Sequence, residues 1–194
     1  MKMRRSGGIL AVVACIAILP GIAVTSVFAA MDGGEKTVMV GGAAMYPSKT
    51  IVQNAVNSKD HTTLVAAVKA GGLVDTLNSA GPFTVFAPTN EAFAALPSGT
   101  VDTLLQPENK GTLVKVLTYH VVPGRLTAQD LMKAVSDGGG KAVIKTVEGD
   151  SLTVMQQGNQ LVVRDDKGGV ARVTIGDVMQ SNGVIHVVDK VLMP

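Results

Sequence analysis

Tryptophan is missing from the 194-residue sequence, and cysteine occurs once, at position 15. A lone thiol excludes an internal disulfide framework and a cysteine-rich metal centre. Aromatic residues make up 3% of the chain, which leaves few flat faces on which single-stranded bases could stack. Charged residues are also few, at 16%, and the formal net charge is +2 with no basic block. A protein held to nucleic acid by neutralising phosphates shows a clustered basic face, so that class is excluded. Apolar residues reach 46%, too many for a disordered chain, and the length suffices for one domain with a complete core.

The N-terminus distorts these bulk figures. Lys2, Arg4 and Arg5 precede an uncharged run from Ser6 to Ala30. Val27 and Ala29 stand at the −3 and −1 positions of a signal-peptidase cut. The layout predicts a secretory signal peptide over 1–29. The run is also long enough to span a bilayer, so an uncleaved anchor is a rival reading. Val12-Val13-Ala14-Cys15 offers a third, a lipid-attachment box. Pro20 and Gly21 in mid-run, and the small residues before Met31, favour cleavage. Cleavage after Ala29 leaves 194 − 29 = 165 residues and changes the charge balance to 14 − 15 = −1. Cys15 departs with the signal, which excludes thiol catalysis and disulfide exchange in the mature chain. No membrane span is expected after cleavage, and the product is expected outside the cytoplasm, secreted or periplasmic.

Residues 30–47 carry Gly33, Gly34, Gly41 and Gly42 and read as a flexible lead. The rest, 48–194, reads as one domain. Its first half has helical periodicity. Asp60 is placed to cap a helix with Leu64, Val65 and Val68 on one face, ended by Gly71-Gly72. Phe83 to Ala87 predicts a short buried strand, broken by Pro88, after which Thr89 or Asn90 caps a brief helix. Val101, Leu104 and Leu105 predict another. Leu113, Val116, Leu117 and His120 predict a third, and Thr127 with Asp130 predicts a capping box. The second half changes to a period of two, with strands expected over 142–147, 151–156, 160–164, 170–175 and 183–193. Helices followed by an antiparallel meander give an α+β class.

Three segments carry a resemblance. Gly81-Pro-Phe-Thr-Val-Phe-Ala-Pro-Thr-Asn-Glu-Ala-Phe93 resembles the first signature of fasciclin domains. Leu117-Thr-Tyr-His-Val-Val-Pro-Gly124 resembles the second, and Asn182-Gly-Val-Ile-His-Val-Val-Asp-Lys-Val-Leu-Met-Pro194 resembles the closing strand. Their order and spacing fit, and the likeness covers 48–194. The chain looks like the short, single-domain bacterial secreted type. The resemblance implies a wedge or sandwich of about seven strands with helices packed on one side and edge. It also implies an extracellular or surface module for adhesion or matrix interaction, and not an enzyme.

The candidate site residues are Thr89, Asn90, Tyr119 and His120. Thr89 and Asn90 follow a strand end, where they can cap a helix and clamp the adjacent loop, or offer polar contacts to a ligand. His120 lies on an apolar stripe, where a lone histidine is a core residue with one or two hydrogen bonds. The resemblance implies that it is a structural hydrogen-bonder facing Thr89 or Asn90. Tyr119 would then point the other way and be the first candidate for recognition. His61, His120 and His186 are far apart and form no metal-ligand spacing. Asp165-Asp166 lacks the alternating oxygen ligands of a calcium loop and reads as a solvated turn. Gly138-Gly139-Gly140-Lys141 leads into a strand, not a helix, so it is no phosphate loop. No cofactor and no metal are expected.

The expected function is adhesion, surface attachment or matrix interaction by non-catalytic binding. The expected partner is an extracellular or surface protein or glycan, met by a monomer. The alternative is a periplasmic small-molecule or polysaccharide binding module, which a deep apolar pocket would favour.

Overall fold

The structure is a computed structural model, and it describes residues 36–194. The expected signal peptide over 1–29, with Cys15, lies outside the described residues.

The chain enters as a hairpin, β1 (Val38–Val40) and β2 (Ala43–Met45). Gly41 and Gly42 both have left-handed backbone, with φ of 57° and 74°, as a two-residue hairpin turn demands. Val40 and Met45 are buried in the main core. The flexible lead expected over 30–47 is therefore corrected for this stretch: the glycines close a turn, and the apolar residues beside them pack. A short helix missed in the sequence, α1 (Ile51–Ala55), follows, opened by a capping box between Thr50 and Gln53.

A single 3-10 turn at Lys59–His61 leads into α2 (Thr62–Gly71). Leu64, Ala67, Val68 and Gly71 are its buried stripe, and Gly72 ends it at φ 74°. Asp60 does not cap this helix: His61 holds the N-cap position and makes no side-chain cap bond. Then come α3 (Val74–Asn78), β3 (Phe83–Pro88), α4 (Asn90–Ala94), α5 (Thr100–Leu105), α6 (Lys110–Tyr119) and β4 (Val121–Pro123). The amphipathic α7 (Ala128–Asp137) buries Leu131 and Val135, and Thr127 with Asp130 forms the expected capping box.

The remaining strands are β5 (Lys141–Lys145), β6 (Ser151–Gln157), β7 (Gln160–Arg164), β8 (Val170–Gln180) and β9 (Gly183–Val188). They run as the expected antiparallel meander, and the sheet order is β4-β3-β9-β8-β7-β6-β5. The one parallel pair is β3 with β9, with Val85 beside Ile185 and Ala87 beside Val187. At the far ends the Val147 N–H donates to the Val121 carbonyl at 2.7 Å, which draws the region after β5 against β4. This contact brings the two edges of the sheet near closure.

Two cores follow from strand alternation. Val85, Ala87, Ile185 and Val187 face the N-terminal helices, while Phe86 and Val188 face the second core with Tyr119, Leu131, Leu152 and Val163. Both faces of β3 and β9 are thus covered, which explains their unbroken apolar runs. Two details differ from expectation. Strand β8 continues to Gln180, because extra residues bulge out between Val173 and Ile175 and between Ile175 and Val178. Strand β9 stops at Val188, not Met193, and the tail beyond it is held by side chains.

The caps give a direct check. The Thr127 hydroxyl accepts from the Asp130 N–H at 3.2 Å, and the Asp130 carboxylate accepts from the Thr127 N–H at 3.0 Å. Thr127→Ala should cost ~1 kcal/mol in urea denaturation, with an unchanged slope.

Candidate functional site

The three signature segments are neighbours in space. They supply β3, β4 and β9, which lie side by side at one end of the sheet. Of the candidate residues, Thr89 and Asn90 stand at the end of β3 and the start of α4, and Tyr119 and His120 stand between α6 and β4.

Thr89 follows β3 in sequence. Its N–H donates to the Val188 carbonyl at 3.3 Å, and its hydroxyl accepts from the Ala92 N–H at 3.2 Å. It is the N-cap of α4. Asn90 does something less visible in sequence. Its side-chain oxygen accepts from the Thr63 N–H at 3.0 Å and the Thr62 hydroxyl at 3.1 Å. Its amide nitrogen donates to the Lys59 carbonyl at 2.7 Å. Asn90 therefore caps α2 from another part of the chain, supplying the bond that His61 does not make. Both residues are half-buried.

Tyr119 ends α6, and its ring has no exposed surface. Its hydroxyl donates to the Ser151 carbonyl at 3.1 Å and accepts from the Asp166 N–H at 3.2 Å. Burial pushes the phenol up to about 12, helped by the charges of Asp166 and Asp165. Its side chain lies in the second core, in the same cluster as Phe86 of the first signature, and does not face outward. The expectation of Tyr119 as a recognition contact is corrected: a side chain sealed under the sheet presents nothing to a partner.

His120 is buried, as expected, but its partners are different. Its Nε2 accepts from the Leu192 N–H at 2.9 Å, so Nδ1 carries the proton and donates to the Val116 carbonyl at 2.8 Å. The ring ties α6 to the C-terminal tail and not to Thr89 or Asn90. Only its backbone meets the first signature, where the His120 carbonyl accepts from the Phe86 N–H at 2.9 Å. Desolvation lowers the imidazole to about 4, so it is neutral at pH 7.

Several buried polar residues have partners that the sequence did not reveal. Asp165 is buried, whereas Asp166 is exposed. The Asp165 carboxylate accepts from the Gly169 N–H at 2.6 Å and the Met193 N–H at 3.1 Å, a second clasp on the tail. The expected solvated turn is corrected for this residue. Asn182 accepts from the Ile51 N–H at 3.0 Å and donates to the Leu77 carbonyl at 2.6 Å, joining β9 to α1 and α3. The Asn54 amide donates to Gln180 in the core. His186 donates through Nε2 to the Leu126 carbonyl at 2.8 Å and stacks on Phe86. Burial lowers His186 and His61 from the usual histidine value. The three histidines stand apart, and no cluster of three metal-ligating side chains occurs among the described residues.

Two outcomes follow. His120→Ala should cost about 1–3 kcal/mol in chemical denaturation, because the Leu192 N–H loses its acceptor. The pH dependence has a definite sign. The folded imidazole sits at about 4 against 6.5 unfolded, so the unfolded chain takes up the proton first as pH falls. His120 stabilises fully above pH 6.5, and that contribution, on the order of 3 kcal/mol, is lost as pH falls to about 4. His120→Gln should flatten this slope. Tyr119→Phe should cost about 1 kcal/mol below pH 10, since two backbone groups lose their partner, and the cost should shrink as pH rises from 10 towards 12, where the unfolded phenol ionises before the folded one.

Comparison with known proteins agrees with the geometry. The Fasciclin domain family model matches residues 59–194. The chain is similar to Protein sll1483 of Synechocystis sp., at 47% identity over 88% of this chain and 87% of that protein. It is similar to Immunogenic protein MPB70 of Mycobacterium bovis, at 41% identity over 72% of this chain and 66% of that one. In fold it resembles a FAS1 domain pair from the insect cell adhesion molecule Fasciclin I, with a TM-score of 0.68 and 20% identity. That match covers 75% of this chain and 51% of the pair. With the signatures lying on adjacent strands and the family match spanning most of the chain, this chain belongs to the fasciclin domain family.

Proposed function

We propose that this chain is a secreted or periplasmic adhesion-type module that binds an extracellular or surface protein or glycan without chemical turnover. The observation that carries the reading is the family match over 59–194. The site geometry supports it. The polar side chains of the signatures are spent on internal bonds, and a group spent on structure is not poised for proton transfer or nucleophilic attack. Export is supported by the charged start and uncharged run of 1–30. No helix among the described residues is long and apolar enough to cross a membrane.

The binding surface, on this reading, is preformed and external, and a monomer suffices to present it. Of the residues named from the sequence, Thr89 and Asn90 keep exposed area, while Tyr119 and His120 do not. On this reading a partner is met at the corner between β3 and α4, and the exposure of Glu91 there supports it.

Deleting the gene and measuring attachment to surfaces and host cells tests the reading. Attachment should fall, and return with wild-type protein whose N-terminus, by sequencing of the exported form, is Ala30. Glu91→Arg should restore it less well than Tyr119→Phe does. Unchanged attachment on every surface would sink the proposal.

A further inference from the structure

A cavity lies between the N-terminal helices and the sheet. Its walls come from the hairpin (Met45), from α1 (Ala55), from α2 (Val68) and from β3, β8 and β9 (Val85, Val178, Ile185). The space between atoms comes to ≈ 800 Å³ with its mouth included, and the part that admits the centre of a water-sized sphere is ≈ 50 Å³. One water needs ~10–15 Å³ on that second measure, so the space holds a small ligand and not a bulky ring system.

The lining is apolar but for four residues, and three of them have nothing to offer inside. His120 has both ring nitrogens engaged, the Ser58 hydroxyl is held by His61, and Lys69 is exposed. His61 is different. It is 3% exposed, and its Nδ1 is 2.8 Å from the Ser58 hydroxyl. Its Nε2 is buried with no hydrogen-bond partner. The Ala87 backbone lies near enough to favour the protonated ring, yet makes no well-formed hydrogen bond to it. A buried polar atom left unpaired is costly, and native structures hold few of them.

We infer that this cavity is a binding site for a slim aliphatic alcohol, its chain along the apolar walls and its hydroxyl on His61 Nε2. The small volume of the space selects a slim chain over a bulky ring system. The single unpaired nitrogen selects one polar group. Ser58 can donate to Nδ1 or accept from it, so Nε2 can be donor or acceptor, and a hydroxyl satisfies both cases. Thr89 and Asn90 do not line the cavity, so this assignment and the adhesive corner can fail independently.

The test uses n-hexanol and n-heptane, which have equal numbers of heavy atoms, titrated into the protein while methyl resonances of the lining residues are followed by NMR. Wild type should show saturable shifts with both. The ratio of the heptane to the hexanol Kd should fall about 3- to 10-fold in His61→Leu, the effect of one hydrogen bond. Taking a ratio removes the difference in simple hydrophobicity between the two probes. Ala55→Leu, which fills the space from a half-buried helix position, should weaken both probes several-fold. Should His61→Leu fail to fold, the wild-type His61 ring nitrogen gives the same answer: its resonance should move with hexanol and stay with heptane. No saturable shift with either probe, or unchanged hexanol affinity in folded Ala55→Leu, would overturn the inference.

Discussion

The parallel pairing of β3 with β9 governs this fold. These strands lie about a hundred residues apart in sequence, yet they run side by side through the sheet. A contact of that range carries a large loop-closure cost, which local hydrogen bonds alone do not offset. Burial on both faces supplies the difference. Val85, Ala87, Ile185 and Val187 enter one core while Phe86 and Val188 enter the other. Helices α1 to α6 are therefore covers for one face, and the meander with α7 covers the other. The chain has no disulfide among the described residues to share the task.

Burying two faces has a consequence for polar groups. Wherever a helix or the tail docks against the paired strands, backbone N–H and carbonyl groups are carried out of water and must find partners. The structure meets this with side chains that bridge distant segments. Asn90 serves the start of α2, Asn182 joins β9 to α1 and α3, and His120 and Asp165 hold Leu192 and Met193. His120 and His186 do this as neutral rings, because the same burial that makes their bonds necessary also disfavours their charge. Acid attacks such a design at one weak point: a proton taken by the unfolded chain is refused by the folded one.

The legible part of the sequence was the part written locally. Thr127 with Asp130, Gly72 at the end of α2 and the period-two strands could be read because each signal and its target lie within a few residues. Side chains that reach across the fold could not. Nothing near Asn90 says that its target is Thr63, and nothing near His120 says that its target is Leu192. Asp165 looks identical to Asp166 in sequence, and one buries while its neighbour stays wet. The hairpin at Val38–Met45 failed for another reason. Two adjacent glycines are equally the mark of slack and of a tight left-handed turn, and only the packing of Val40 and Met45 decides between them.

This division bears on what a family signature can tell. Residues of the three segments are identifiable because the fold consumes them: Thr89 caps, Tyr119 fills, His120 clasps and Asn182 joins. A side chain so committed contributes to partner choice only through the shape it maintains. The motifs therefore report the scaffold, and specificity has to come from what the scaffold leaves exposed or unfilled. The exposed rim at the β3–α4 corner is one such place. The cavity under α2 is another, and there the odd residue is His61, whose Nε2 stands outside the network that claims its neighbours. Where every other buried ring nitrogen is spent on holding the chain together, the one left unspent is the best place to look for something the chain holds.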